Sequence, residues 1–192
     1  FKGFFRTMIF LPCTTSLVAY AIIFRSLFAN DGLVNYVLVN LGILDKPYNF
    51  LTQPFAAKMV IILALLWRWT GYNMVFFLSG LQNIEYSVYE AAKIDGASAI
   101  QTFFKITVPL LKPTILLTAI MSTNGTLQLF DESINLTDGG PANASISMSH
   151  YIYNLCFKYV PNFGYAAAMS FFILLLVAVL AFIQMRVGDK RD

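Results

Sequence analysis

The residues of this chain with chemistry to offer sit in one short stretch. Glu85, Glu90 and Asp95 are interleaved with Lys93 and followed by Lys105, and long apolar runs flank them on both sides. At the centre of a bilayer each such charge costs roughly 2.5 to 3.5 kcal/mol on insertion scales, so the stretch belongs in water. There its chemistry is recognition. Ala91, Ala92 and Ala97 give a smooth knob suited to a partner's groove, and Glu90 and Asp95 supply charges that fix register in it. The plainer alternative is a solvated loop whose acids only keep it soluble.

Catalysis finds little support. No G-x-x-x-x-G-K-[ST] phosphate-binding loop occurs. His150 is the one histidine, so no metal cluster can form around it, and a lone loop histidine reads as a surface residue. No nucleophile, base and orienting acid stand together. The sequence therefore predicts no catalytic residue, no metal and no cofactor, and nothing in it suits nucleic acid.

The elements that carry the polar stretch are membrane spans. The chain has 192 residues, of which 58% are hydrophobic and 12% charged. A soluble domain is about 25% charged, and half that charge cannot cover a wetted surface. The fold class is all-α and polytopic. A spanning helix needs about 20 mostly apolar residues, and residues 8–28, 60–84, 107–130 and 163–185 qualify. The first contains Pro12 followed by Thr14, Thr15 and Ser16, hydroxyls that return hydrogen bonds to a backbone loosened by proline. Arg68 lies inside the second. The third is entered through Pro109 and Pro113. The fourth carries no charge and starts with Gly164 and Ala166 to Ala168, small residues that allow close helix approach. Cys13 and Cys156 fall toward opposite faces, which argues against a disulfide between them. The first residue is Phe, and a basic flank precedes the first span; further spans are expected before it.

Basic residues set the orientation. Lys2, Arg6, Lys93, Lys105, Lys112, Arg186, Lys190 and Arg191 share one side, whereas Lys46, Lys58, Lys158 and Arg25 are diluted by Asp31, Asp45, Asp131, Glu132 and Asp138. The polar stretch is thus expected in the cytoplasm. An outer loop opens on the sharp turn Thr137 to Pro141, and Met148, Tyr151, Ile152 and Leu155 then recur at the spacing of an amphipathic helix. Within the polar stretch, residues 87–106 read as two short helices. Ser87 caps the first, Gly96 ends it by taking positive φ, and Ser98 with Gln101 forms a capping box for the second.

The order of these residues resembles a known signature. Glu90-Ala91-Ala92, Asp95-Gly96-Ala97, then Phe103, Ile106 and Pro109 follow E-A-A-x-x-D-G-A and F-x-x-I-x-L-P, with Val108 in place of leucine. This is the EAA motif of permease subunits of bacterial ABC importers. Phe5-Arg6, Pro12, Gly32 to Asn35, Leu136 to Pro141 and Gly164 to Ala168 are similar to segments of the carbohydrate branch, in particular its MalF-like and lactose-permease-like members. The resemblance covers most of the chain. It implies a type I ABC importer permease (MetI-like) helical bundle in the bacterial cell membrane. In that family the motif is the coupling helix, so Glu90, Ala91, Ala92, Asp95, Gly96 and Ala97 would meet a cytoplasmic ATPase dimer. A second permease subunit and an extracytoplasmic sugar-binding protein would complete the assembly, with membrane lipid around it.

The resemblance also places sugar contacts on the second and third spans. Polar breaks there are Thr70, Gly71, Tyr72, Asn73 and Met74, then Ser122, Asn124 and Gln128. Amides and hydroxyls suit sugar hydroxyls, but in spans they also serve merely to join helices. Arg68 is expected to pair with an acid such as Asp131, as a structural or gating pair, or to snorkel. Two other classes remain: a permease for a non-sugar solute such as glycerol phosphate, and a membrane scaffold or enzyme.

Overall fold

The computed structural model describes Phe1 to Gly188, apart from the side chain of Lys2; Lys190 and Arg191, used above for orientation, lie outside the described residues. All regular structure among the described residues is helical. The sequence predicts one helix over residues 8–28, and the structure has two. α1 (Lys2–Thr14) and α2 (Leu17–Leu27) meet at 103°. The hydroxyls near Pro12 do bind the backbone: Thr14 Oγ1 donates to the Leu11 carbonyl at 2.8 Å and Thr15 Oγ1 to that of Pro12 at 2.7 Å. They close α1 rather than carry it onward. Ser16 then takes extended backbone and accepts from the Ala19 N–H at 3.1 Å, which starts a new helix.

α3 (Leu33–Asn40) lies in the loop that follows. Asn35, 1% exposed, donates to the Ala29 and Tyr48 carbonyls and accepts from the Tyr48 N–H, all at 2.8 to 2.9 Å, so one buried amide fixes the whole loop. α4 (Pro54–Gln82) is a single 29-residue helix, opened by proline at its first turn, and it begins six residues before the expected span. At 1.5 Å per residue it is about 43 Å long.

After α5 (Tyr86–Ile94), α6 (Ala99–Leu110) passes through a π-helical turn at Phe103–Thr107 and bends by 64° into α7 (Lys112–Leu127). The third span was expected over 107–130; its helix instead starts at Lys112, after the bend, and stops at Leu127. A second π turn, Ser133–Thr137, follows α7; α8 (Met148–Tyr153) runs into a third, Asn154–Lys158, and α9 (Phe163–Gly188) closes the described chain. By length and composition two helices, α4 and α9, can each cross a membrane, and the bent pairs α1–α2 and α6–α7 bring the total to as many as four.

Small residues set how the helices approach. A methyl group on Gly71 would collide with the Ile9 carbonyl and come within 2.9 Å of Cys13 Sγ, so α1 lies directly on α4 there. Gly80 meets Thr114 and Leu111, and Gly125 lies under the Trp69 ring, which aligns α4 antiparallel to α7. Gln184 of α9 donates to Thr123 of α7 at 2.8 Å. The core is Tyr20, Ala21 and Phe24 of α2 against Val60, Ile61 and Ala64 of α4, with Leu136 beneath them. Outside it, large apolar side chains are exposed along every long helix; α9 buries Ala166 and Ile173 and leaves Phe171, Leu174, Leu175 and Phe182 bare. Such a surface suits hydrocarbon or another apolar helix, not water.

Candidate functional site

Three regions hold the residues singled out in the sequence. The first is the turn between α5 and α6. Gly96 takes φ +74° with open space around its Cα. The Ala97 N–H returns to the Ala92 carbonyl at 3.0 Å, so α5 ends in a left-handed glycine cap. The capping box is formed as expected: the Gln101 N–H donates to Ser98 Oγ, and the Ser98 N–H to Gln101 Oε1 at 2.9 Å. Ser87 is a correction. It lies inside α5, which starts from Glu85, and its hydroxyl donates to the Glu85 carboxylate at 3.3 Å instead of capping the helix.

Glu90, Ala91, Asp95 and Gly96 are exposed and Ala97 is half-buried, whereas Ala92 is 6% exposed and faces inward, away from any knob. An amphipathic helix must bury one side, and Ala92 is on it. Sequence reasoning overlooked the apolar residues beside the acids. Tyr86, Ile94 and Ile100 are 74%, 85% and 73% exposed, which surrounds Glu90 and Asp95 with unpartnered hydrocarbon. Side chains of that size on the surface of a water-soluble turn mark an interaction face.

The second region is a cleft of about 210 Å³ where α4, α7 and the start of the following loop meet. Arg68, Trp69, Gln128, Asp131 and Glu132 line it. The same Arg68 and Trp69, with Cys13 and Tyr72, form one wall of a second cavity of about 360 Å³. Arg68 does not pair with Asp131: no ion pair joins them among the described residues. Its guanidinium lies over the Tyr20 ring, 5.5 Å from the centroid, and its Nη1 is buried without a hydrogen-bond partner. A planar cation suits an aromatic face, so Tyr20 competes with the acid for it. Glu132, 6% exposed, lines the same cleft, and the Tyr20 hydroxyl is buried without a hydrogen-bond partner.

The expected path residues divide. Gln128 lines the cleft, and its Nε2 donates to Asn124 Oδ1 at 2.7 Å, one turn back. Gly71 is buried under Ile9 and serves the α1–α4 crossing. Thr70 returns its hydroxyl to the Leu66 carbonyl. Asn73, Met74 and Ser122 are half-buried, and none of them is among the residues lining the cleft. Trp69, Asp131 and Glu132 were not placed in the path from sequence. The missed signal was the charge of Asp131 and Glu132 immediately after an apolar span.

The third region is the loop from Ser133 to Lys158. His150, expected on the surface, is 0% exposed. Its Nδ1 is hydrogen-bonded to Ser133 Oγ at 2.8 Å, and Ser133 Oγ also donates to the Ser145 carbonyl at 2.8 Å. Its Nε2 lies 3.8 Å from the Asp138 carboxylate, which Lys158 holds at 3.0 Å. Burial pushes the imidazole below the usual histidine range; Asp138 pulls the other way and Lys158 adds to the depression. Asp138, Ala142 and Asn143 have φ of 48°, 49° and 61°, and the Gly140–Pro141 peptide is cis. The expected amphipathic helix is shortened to α8 and its π turn, with Leu155 buried and Met148 exposed.

Two long apolar helices and two bent helix pairs, joined by an exposed polar turn, have the length and composition to cross a membrane up to four times. The family model described as "Binding-protein-dependent transport system inner membrane component" matches residues 1–191, and the chain belongs to that family. It is 56% identical over 193 residues to the lactose transport system permease protein LacF of Rhizobium radiobacter, covering 100% of this chain and 65% of that protein. A bacterial ABC transporter that imports the acidic polysaccharide alginate superposes with a TM-score of 0.88 at 25% identity, over 100% of this chain and 66% of its own. The alginate transporter in complex with a pentasaccharide-bound periplasmic protein gives a TM-score of 0.78 at 27% identity, over 98% of this chain and 65% of its own. The fold is that of an ABC importer permease, and the chain spans about two thirds of the length of the relatives it matches.

Proposed function

We propose that this chain is the translocation-path portion of a permease subunit in an ATP-driven sugar importer of a bacterial cell membrane. The observation that carries the reading is the early end of α7. Gly125 touches Trp69, which lies near the middle of α4, and α7 stops two residues later. From Gln128 to Phe130 the backbone leaves helical geometry at the depth of that midpoint, before turning helical again at Asp131. Non-helical backbone at such depth is tolerated where it is buried in protein or lines a water-filled cavity, and here it lines the Arg68–Trp69 cleft. A polar path that opens at mid-membrane, where transporters hold cargo, fits a permease better than a scaffold. The aromatic and amide of Trp69 and Gln128 suit the two faces of a sugar.

The exposed α5–α6 turn is the coupling element. Glu90, Ala91, Asp95, Gly96 and Ala97 would enter a groove on a cytoplasmic ATPase, with Tyr86, Ile94 and Ile100 supplying apolar contact around them. The ATPase dimer, a second permease and an extracytoplasmic binding protein are the partners, and ATP is hydrolysed on the ATPase subunits, not on this chain. The test is reconstitution of the full-length protein with the ATPase, permease and binding protein encoded beside it. Lactose or another neutral saccharide should stimulate ATP hydrolysis severalfold in the presence of the binding protein. Stimulation by glycerol phosphate or an amino acid, with none by any saccharide, would overturn the sugar reading.

A further inference from the structure

The cleft between α2, α4 and α7 has an aromatic wall, Trp69, and an amide, Gln128. Its charged lining is one cation, Arg68, and two carboxylates, Asp131 and Glu132. Glu132 is more than nine-tenths buried, and Arg68 Nη1 is buried with no hydrogen-bond partner among the described residues. Two facts follow. The buried guanidinium nitrogen has a donor to offer that no protein group takes. The formal charge of the lining is negative, since two carboxylates face one cation, and Arg68 lies on Tyr20 and forms no ion pair with either acid.

We propose that Arg68, Asp131 and Glu132 make this cleft a charge filter that admits uncharged saccharides and rejects saccharides bearing a carboxylate. The proposal rests on the sugar-permease reading above. A saccharide hydroxyl is both donor and acceptor. It can accept from the free Arg68 nitrogen while a neighbouring hydroxyl donates to Glu132 or Asp131, and its apolar ring face lies on Trp69. Each buried polar group is then satisfied without a change in net charge. A uronate has only acceptors at its carboxylate. To reach Arg68 it must sit beside two like charges in a site of low dielectric, where repulsion is poorly screened. Glu132 is the stronger determinant, because it is the more buried of the two. A superposable transporter is involved in the import of an acidic polysaccharide, so the fold by itself does not exclude carboxylates.

The test separates the filter from the reading beneath it. The full-length protein, purified in its assembled transporter, is titrated at pH 7 by equilibrium binding with radiolabelled lactose and with lactose oxidised to the 6′-carboxylate. No binding protein is added, so the permease alone discriminates. Wild type should bind lactose about tenfold or more tightly than the carboxylate. Glu132→Gln should close most of that gap by gaining affinity for the carboxylate, and Asp131→Asn should close a smaller part. Asp131→Asn carries the test alone if Glu132→Gln does not assemble. Equal binding of the two sugars by wild type would overturn the filter and leave the sugar reading standing. So would a preference for lactose that neither substitution reduces. Binding of neither sugar would overturn the filter, and the sugar reading would then stand or fall on the binding-protein-dependent stimulation of ATP hydrolysis.

Discussion

Gly96 and Gly71 are both candidate functional glycines, and the structure needs them for opposite reasons. At Gly96 the backbone is in the left-handed region, φ +74°, and the space beside it is empty. At Gly71 the backbone is ordinary helix, and the space is filled by the Ile9 carbonyl and Cys13. The first is a demand of local geometry, written in the residues around it. The second is a demand of a neighbour more than fifty residues away in sequence. The whole molecule divides along that line, between a turn built from local rules and spans built from crossings.

The largest effect that would test this division is at Gly71. Gly71→Val should force α1 off α4 and lower the stability of the purified protein by about 1 to 3 kcal/mol or more, as overpacked cores do. Gly71→Ala should do so to a smaller degree. Thermal unfolding in detergent reads both. A Gly71→Ala protein with wild-type stability would mean that α1 and α4 do not cross where the structure has them.

Gly96 comes next and should behave differently. A side chain in left-handed geometry costs about 1 to 2 kcal/mol, so Gly96→Val should leave membrane insertion and span stability intact while ATP-coupled transport falls about five- to thirtyfold, the factor that energy represents. Gly96→Asn should retain more activity than Gly96→Val, because asparagine tolerates this φ. Gly96→Asp adds a charge at the proposed ATPase contact and should be worse still. If all three variants transport normally, the turn is not the coupling element.

The same division explains what could be read from the sequence. The Ser98–Gln101 box, the Gly96 cap and the existence of long apolar helices depend on neighbours in sequence and were legible. So was the family, whose signature lies in that turn. The break after Pro12 was half legible: the hydroxyls were recognised as backbone acceptors' partners, but Ser16 starts a helix in a new direction, which only the packing of α2 on α4 decides. Ser87 failed as a cap because Glu85 already occupied the position before the helix. Arg68 and His150 were misjudged because their partners come from afar. Tyr20 draws Arg68 away from Asp131, and Ser133 with Asp138 surrounds His150. No spacing rule announces either.

His150 makes that point measurable. The imidazole is buried, and its pKa is lowered relative to the unfolded chain. A lowered histidine pKa means that the unfolded state binds the proton more readily. The stability it contributes is therefore complete above about pH 6.5, and it declines as pH falls from there through the depressed folded value. Asp138 and Lys158 are the charges that face it, and they oppose each other. Wild type should lose thermal stability between about pH 6.5 and pH 5, and His150→Gln should flatten that part of the profile. A histidine free in solvent, as the sequence alone suggested, would give no such slope, so an unchanged profile in the variant would return His150 to the surface.

The smallest effect should come from the most legible device. Ser98 is exposed, and its hydroxyl accepts one N–H, that of Gln101, at 3.3 Å, at the long end of useful geometry. The Gln101 side chain bonds back to the Ser98 backbone N–H at 2.9 Å, and this half of the box survives when the hydroxyl is removed. Ser98→Ala should thus cost about 0.5 to 1 kcal/mol, the lower part of the range for lost caps. The loss should appear as faster hydrogen exchange in the first turn of α6, with no change at α4 or α9. Gln101→Ala should cost as much or more, since it removes the shorter of the two bonds. If Ser98→Ala instead lowered the unfolding temperature of the whole bundle, the turn would be part of the core's cooperative unit, and the contrast between a locally specified turn and neighbour-specified spans would fail at its simplest point.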